Sequence, residues 1–338
     1  MSKRNKTSFE IFFESLKLYI SNFDKFVKYM TFPVLGQIAG LSIVFFLSYF
    51  YAKNIPNLIA KFPELSDINI LLLLAILIML PGLAIFVKAF WEYLVAYGAI
   101  NSMLDNMLKS GKVYDFDAHT ELIKRRTLSF VGLWFLFSLF SLLALVPFFW
   151  VPCAVFAIYF VLIFQVFTFE PDLSPLGCVK KSLMLVKGHF LSTLLLYTLI
   201  GLLTYCLLPQ IANVFCEYTH ISLFLKNLLK PVLSEISLSE VNTILAIAYI
   251  PPLNVNAIVN FTVSTLIAQI FIQYTLPLRS ILWGVWYKFL ENKIPKQKCS
   301  KKNSKKKSSE NLISESRKKF GSKKLDKNIL RRAMEKDE

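Results

Sequence analysis

The chain has 338 residues, 55% of them hydrophobic, with a mean hydropathy of +0.52 and a formal net charge of +16. That apolar share is only modestly above a soluble domain's, so its distribution decides the class. The uncharged runs 29–52, 68–87, 127–169, 188–216 and 241–278 each reach the roughly 20 residues that cross a bilayer, which excludes an ordinary soluble fold.

Taken in order, Lys3, Arg4 and Lys6 precede an amphipathic stretch with no small-residue cleavage site, so the first span is expected to stay as an anchor. Thr7 and Glu10 have capping-box spacing. Phe9, Phe12, Phe13, Leu16, Ile20 and Phe23 then form one helical stripe, suited to a helix lying on a membrane surface. Residues 1–28 are thus an N-terminal region with a surface helix, and 29–290 a membrane domain.

Span 1 is expected over 29–51, followed by a polar loop with Asn54, Pro56, Asn57, Pro63 and Asp67. Span 2, 68–90, carries a kink at Pro81-Gly82. Trp91, Tyr93 and Tyr97 read as an aromatic belt at the boundary, with Lys88 and Glu92 paired there at i,i+4. Residues 98–126 are polar enough to be wet. Within them Gly111 should close a helix and Asp117 cap the next, which ends in Lys124-Arg125-Arg126. This is a weaker copy of the surface helix.

Run 127–169 divides into span 3 (128–146) and span 4 (150–169), with a hairpin at Pro147–Pro152. Ser174 and Pro175 supply an N-cap and first-turn proline for a central surface helix, which Gly188 should close. Its stripe is Leu176, Val179, Leu183, Val186 and Phe190. Ser182-Leu183-Met184-Leu185 followed by Phe190 has the spacing of Ser15-Leu16-Lys17-Leu18 followed by Phe23, which suggests an internal repeat. Span 5 covers 189–208 and should stop at Pro209; 209–240 reads as a loop with one short amphipathic helix. Pro251-Pro252 breaks the last run, placing span 6 at 256–278. Trp283, Trp286, Tyr287 and Lys288 read as its inner belt, with Arg279 snorkelling towards them. The tail, 291–338, holds 17 Lys/Arg against 7 Asp/Glu and should be largely disordered, with 322–334 able to form a helix on an anionic surface.

Segments 1–28, 88–126, 170–187 and 279–338 carry 34 Lys/Arg, and the segments alternating with them carry 4. The positive-inside rule then places both termini and the surface helices in the cytoplasm. The expected fold class is an all-α membrane protein, with six transmembrane helices as three repeats of cytoplasmic amphipathic helix plus two spans.

Catalytic motifs are missing: there is no P-loop, nucleophile elbow, GxGxxG or HExxH. Cys153, Cys178, Cys206, Cys216 and Cys299 form no CxxC, and His119, His189 and His220 stand far apart, so no metal or cofactor is expected. Cys206 and Cys216 could pair, but isolated apolar thiols are the favoured reading. Lys88, Glu92, Glu170 and Arg279 form a candidate inner-face ionic cluster, weighed against plain interfacial snorkelling. Asn256, Asn260 and Ser264 form a candidate polar stripe on span 6, read as interhelical hydrogen bonding ahead of a transport site.

The passage Glu170–Phe190, EPDLSPLGCVKKSLMLVKGHF, resembles the segment before span 5 in a bacterial six-span family. That family includes the membrane domain attached to some glycerophosphodiester phosphodiesterases, and related membrane families of unknown function. Tyr97-Gly98-Ala99 through Gly111, with Lys124-Arg125-Arg126, is similar to its middle portion. Cys178 stands where the family usually carries Ala. The resemblance implies fold and membrane location, and not phosphodiesterase activity, which belongs to a separate catalytic barrel.

The expected function is therefore non-catalytic, in the bacterial cytoplasmic membrane: a scaffold or lipid-interacting module engaging anionic lipid or an acidic protein partner on its inner face. The alternatives are a small-solute or lipid transporter with a site near the span 6 break, and a ribosome- or nucleic-acid-docking protein acting through the tail.

Overall fold

The computed structural model describes residues 6–113, 115–235, 238–247 and 249–293. Expectations for Cys299 and the basic tail beyond 293 lie outside the described residues. Every regular element among those described is helical.

Helix α1 (Ser8–Ile20) starts at the expected capping box: Thr7 Oγ1 accepts from the Glu10 amide at 3.3 Å, and Glu10 Oε2 accepts from the Thr7 amide at 3.0 Å. It stops short of Phe23, because Asn22 makes a corner there. The Asn22 amide group donates to the Leu18 and Gly111 carbonyls, and its oxygen accepts from the Val113 amide, all at 3.0 Å. The face of α1 buried in the protein is Ile11, Ser15 and Tyr19. Phe9, Phe13, Ile20 and Phe23, members of the expected stripe, are each at least half exposed.

Helices α2 (Phe23–Lys61, 39 residues) and α3 (Ile68–Ser110, 43 residues) form a long hairpin. At about 1.5 Å per residue both far exceed a hydrocarbon core of about 30 Å. That length overturns two expectations. The polar stretch at 54–61 is helical, with Asn54 bonding the Phe50 carbonyl of its own helix at 2.7 Å. The turn shrinks to Phe62–Asp67, and Asp67 caps α3. The first part of 98–126 is not wet: Gly98–Asn101, Met103, Leu104 and Met107 are buried, while Asp105 and Asn106 are exposed. The two helices cross where a Cβ on Gly40 would lie 2.6 Å from the Phe86 nitrogen and 2.8 Å from the Gly82 carbonyl, so only glycine fits. Gly36 and Gly40 make the GxxxG spacing. Gly111 closes α3 as expected, at φ +70°.

Asp115, not Asp117, caps α4 (Phe116–Lys124), which meets α5 (Thr127–Leu143) at a 77° bend. The turn between spans 3 and 4 is Pro147–Phe149, shorter than expected, with Pro152 already in the first turn of the next helix. The next span breaks in two, α6 (Trp150–Phe160) and α7 (Ile163–Phe169). Ser174 caps α8 (Pro175–Val186), with Pro175 in its first turn. Helix α9 (Phe190–Gly201) does not stop at Pro209. A π-helical stretch, Leu202–Leu207, carries it into α10 (Leu208–Tyr218), with Pro209, which has no N–H to return to the preceding turn, directly after the π stretch. The expected loop at 209–240 holds most of α10 and α11 (Ile221–Ser234), and α12 (Ser239–Ile247) begins there. After Pro251-Pro252 come α13 (Val255–Tyr274) and α14 (Leu276–Lys293).

Among the described residues five helices are long and apolar enough to cross a membrane, or six if the bent α4–α5 pair is one span. Their outward surfaces are apolar. In α3 the most apolar 18-residue window is only 6% buried. A soluble helix of that composition would turn its apolar side chains inward, so an exposed surface of Leu and Ile marks a multi-pass membrane protein.

Candidate functional site

On α3, Tyr93, Tyr97, Asn101 and Asp105 recur every four residues and share one face. Alongside it runs α14, with twelve residues buried, including Ser280, Trp283, Gly284, Trp286 and Tyr287. The sequence suggested a boundary belt there, and the tryptophans and Tyr287 are instead core. Gly284 permits the approach: a Cβ there would sit 2.6 Å from Leu104 Cδ2.

A polar ladder joins the two helices. Ser280 Oγ lies 2.8 Å from Asn101 Oδ1 and 3.1 Å from the Tyr97 carbonyl. Lys288 Nζ reaches Asp105 at 3.3 Å and sits 4.0 Å from the Phe169 ring centroid. From α7, Gln165 Nε2 donates to the Tyr97 hydroxyl at 2.9 Å. Asn101 Nδ2 and Gln165 Oε1 remain buried without partners, one donor and one acceptor held inside the protein. The other side of α14 is tied to α9 by Trp286 Nε1 donating to Thr193 Oγ1 at 3.1 Å. Tyr287 donates to Glu170 at 2.7 Å, and Lys181 of α8 pairs with the same carboxylate at 3.3 Å.

At the head of this ladder stands Arg279. One guanidinium nitrogen donates to the Tyr205 hydroxyl, with the cation 5.2 Å from that ring's centroid. The other donates to the Tyr93 hydroxyl at 3.3 Å and the Ile272 carbonyl at 3.0 Å, and the buried Nε has no partner. Tyr205 arrives from the π-helical stretch, whose wide turn resets the side-chain register of the span. Lys124, Lys181 and Lys288 each pair with a carboxylate, whereas the partners of Arg279 are neutral oxygens.

The four residues of the expected ionic cluster take separate partners. Glu92 bonds Lys124 of α4 at 2.8 Å in place of Lys88, because the bend after α4 brings that helix back against α3. Lys88 lies 5.7 Å from the Phe32 ring centroid. Glu170 serves Tyr287 and Lys181, and Arg279 its tyrosines. Asn256, Asn260 and Ser264 are all exposed; α13 packs inward through Val259, Val263 and Ile267. The stripe therefore lines no interior. Sequence reading passed over the four-residue spacing of Tyr93, Tyr97, Asn101 and Asp105, a signal present but masked by the assignment of 98–126 to water.

The described cysteines, Cys153, Cys178, Cys206 and Cys216, are free thiols. Burial pushes the Cys178 thiol up to about 11. Among the described residues no three of His, Cys, Asp or Glu gather as a metal site. No protein-family model, curated protein or solved structure matches the chain.

Proposed function

We propose that the chain is a non-catalytic lipid-interacting module or scaffold of the bacterial cytoplasmic membrane. In this reading the short capped helices α1, α4 and α8 lie on the cytoplasmic surface, each leading into a pair of spans. Both termini then share that side. The resemblance of Glu170–Phe190 to the six-span membrane families supports the same arrangement.

The observation that carries the reading is the charge asymmetry, 34 Lys/Arg in one alternating set of segments against 4 in the other, on a chain whose long helices expose apolar surface. Each basic residue near an anionic leaflet contributes about 1 kcal/mol, so the 17 Lys/Arg of 291–338 favour anionic lipid or an acidic partner. No observation favours transport at the Asn256–Ser264 stripe, which is exposed.

Truncation after Asn292 tests the reading. The shortened protein should stay in the membrane but lose most of its recruitment of anionic vesicles and of acidic protein partners. Unchanged recruitment would sink it, and ribosome co-sedimentation surviving high salt would replace it with a docking role.

A further inference from the structure

We propose that Arg279, with the hydroxyls of Tyr93 and Tyr205, is a binding site for a phosphate oxyanion. The lipid form of this proposal rests on the lipid-interacting reading above; the anion site does not.

Three observations converge. A guanidinium carries five N–H donors and a permanent charge. Here three donations, to two hydroxyls and one carbonyl, leave the charge without a carboxylate partner. Arg279 belongs to a stretch, Val255–Lys293, apolar enough to span a bilayer, where an uncompensated cation is costly and tends to mark function. The bonds it does make set the planar fork without neutralising it, and a bidentate phosphate would do so. Both tyrosines can turn their hydroxyl protons towards the same anion while their oxygens still accept from the arginine. Second, the buried Nε is an unpartnered donor on this same group. Third, the crevice is open on one side. Tyr205 is 52% exposed and sits on the lipid-facing surface of the π-helical stretch, and Arg279 itself is partly exposed. That exposure leaves a side from which an anion can approach the guanidinium.

The test uses the full chain, purified and delipidated in detergent, with bound lipid counted by native mass spectrometry. Phosphatidylglycerol, diacylglycerol (which lacks the phosphate) and inorganic phosphate are added separately. Wild type should hold a phosphatidylglycerol that diacylglycerol does not replace. Arg279→Gln and Tyr205→Phe should each weaken retention roughly tenfold or more, since each removes a hydrogen bond to a charged group. Tyr205→Phe loses one exposed hydroxyl, so it keeps the test readable if Arg279→Gln misfolds. Inorganic phosphate displacing the lipid in wild type assigns the site to phosphate in general; phosphate without effect assigns it to the lipid. Phosphatidylglycerol and phosphate binding unaltered in both folded variants would overturn the proposal. The chain truncated after Asn292 should retain Arg279-dependent binding even if tail-dependent vesicle recruitment proves absent, which separates failure of the site from failure of the wider reading.

Discussion

Single residues inside this protein do work that soluble cores assign to apolar packing. Ser280 gives its hydroxyl to Asn101, itself already short of one partner. Ser280→Ala should lower stability by about 1 kcal/mol, the net worth of one hydrogen bond, since Asn101 Oδ1 keeps Gln165 Nε2 at 3.5 Å as a second donor. Adding Asn101→Leu should recover part of the loss, because the orphaned amide disappears with its partner. Thermal unfolding in detergent of the two single variants and the double variant checks this; strict additivity would refute the coupling. Cys178 offers a second check. With its thiol raised to about 11 by burial, it should react with maleimide at neutral pH far more slowly in the folded protein than after unfolding. Equal rates in the folded and unfolded protein would show that α8 opens readily.

At the scale of the helix, the α2–α3 hairpin depends on a contact of backbone with backbone. Gly40→Val should push the helices apart and cost about 1–3 kcal/mol or more, since a Cβ there meets main-chain atoms that cannot move aside. Gly201→Ala, where a Cβ meets nothing within 4 Å, should leave stability unchanged or slightly raised. The contrast, read by detergent melting, fails if the two variants behave alike. The end of α11 is held to α2 by Glu235, which accepts from Tyr49 and pairs with Lys53 at 3.2 Å. The Tyr49 hydrogen bond, followed by Lys53, holds the Glu235 carboxyl below its usual value. A depressed carboxylate contributes at pH above its unfolded value of about 4.3 and is lost as pH falls through the folded one. Hydrogen-exchange protection near the end of α11 should therefore fall on acidification below about pH 4, and Glu235→Gln should abolish the response. A pH-independent protection would contradict it.

Helices α1 and α8 bury matching positions: Ile11, Ser15 and Tyr19 in one, Cys178, Ser182 and Val186 in the other. The serines are those aligned by the sequence repeat, and both are fully buried. The α8 serine donates across to the Tyr159 carbonyl at 2.6 Å, while Ser15 bonds within its own helix. The likeness is therefore one of burial pattern, with different partners.

For the whole molecule, the topology has a direct readout. Single cysteines at Ser182 and near the carboxyl end, in a background without other cysteines, should be labelled by an impermeant reagent only after the cytoplasmic side is opened. Labelling of either from outside the cell would reverse the orientation and with it the proposed function.

What could be read without coordinates was what depends on local pattern. The capping box at Thr7, the Ser174-Pro175 start, the Gly111 stop and the Pro251-Pro252 break are short-range chemistry, settled by residues within a turn of one another. Membrane character followed from run length, because a bilayer imposes one thickness on every span. Packing decided the rest. Residues 98–104 looked wet, and aromatics at 283–287 looked interfacial, because hydropathy cannot tell water from a buried partner on another helix. The ladder between α3 and α14, the transfer of Glu92 from Lys88 to Lys124 and the tyrosines around Arg279 join residues 32 to 186 positions apart. Only the folded chain brings such distant groups within reach, since the free energy that pairs them exists only once the helices have closed on one another.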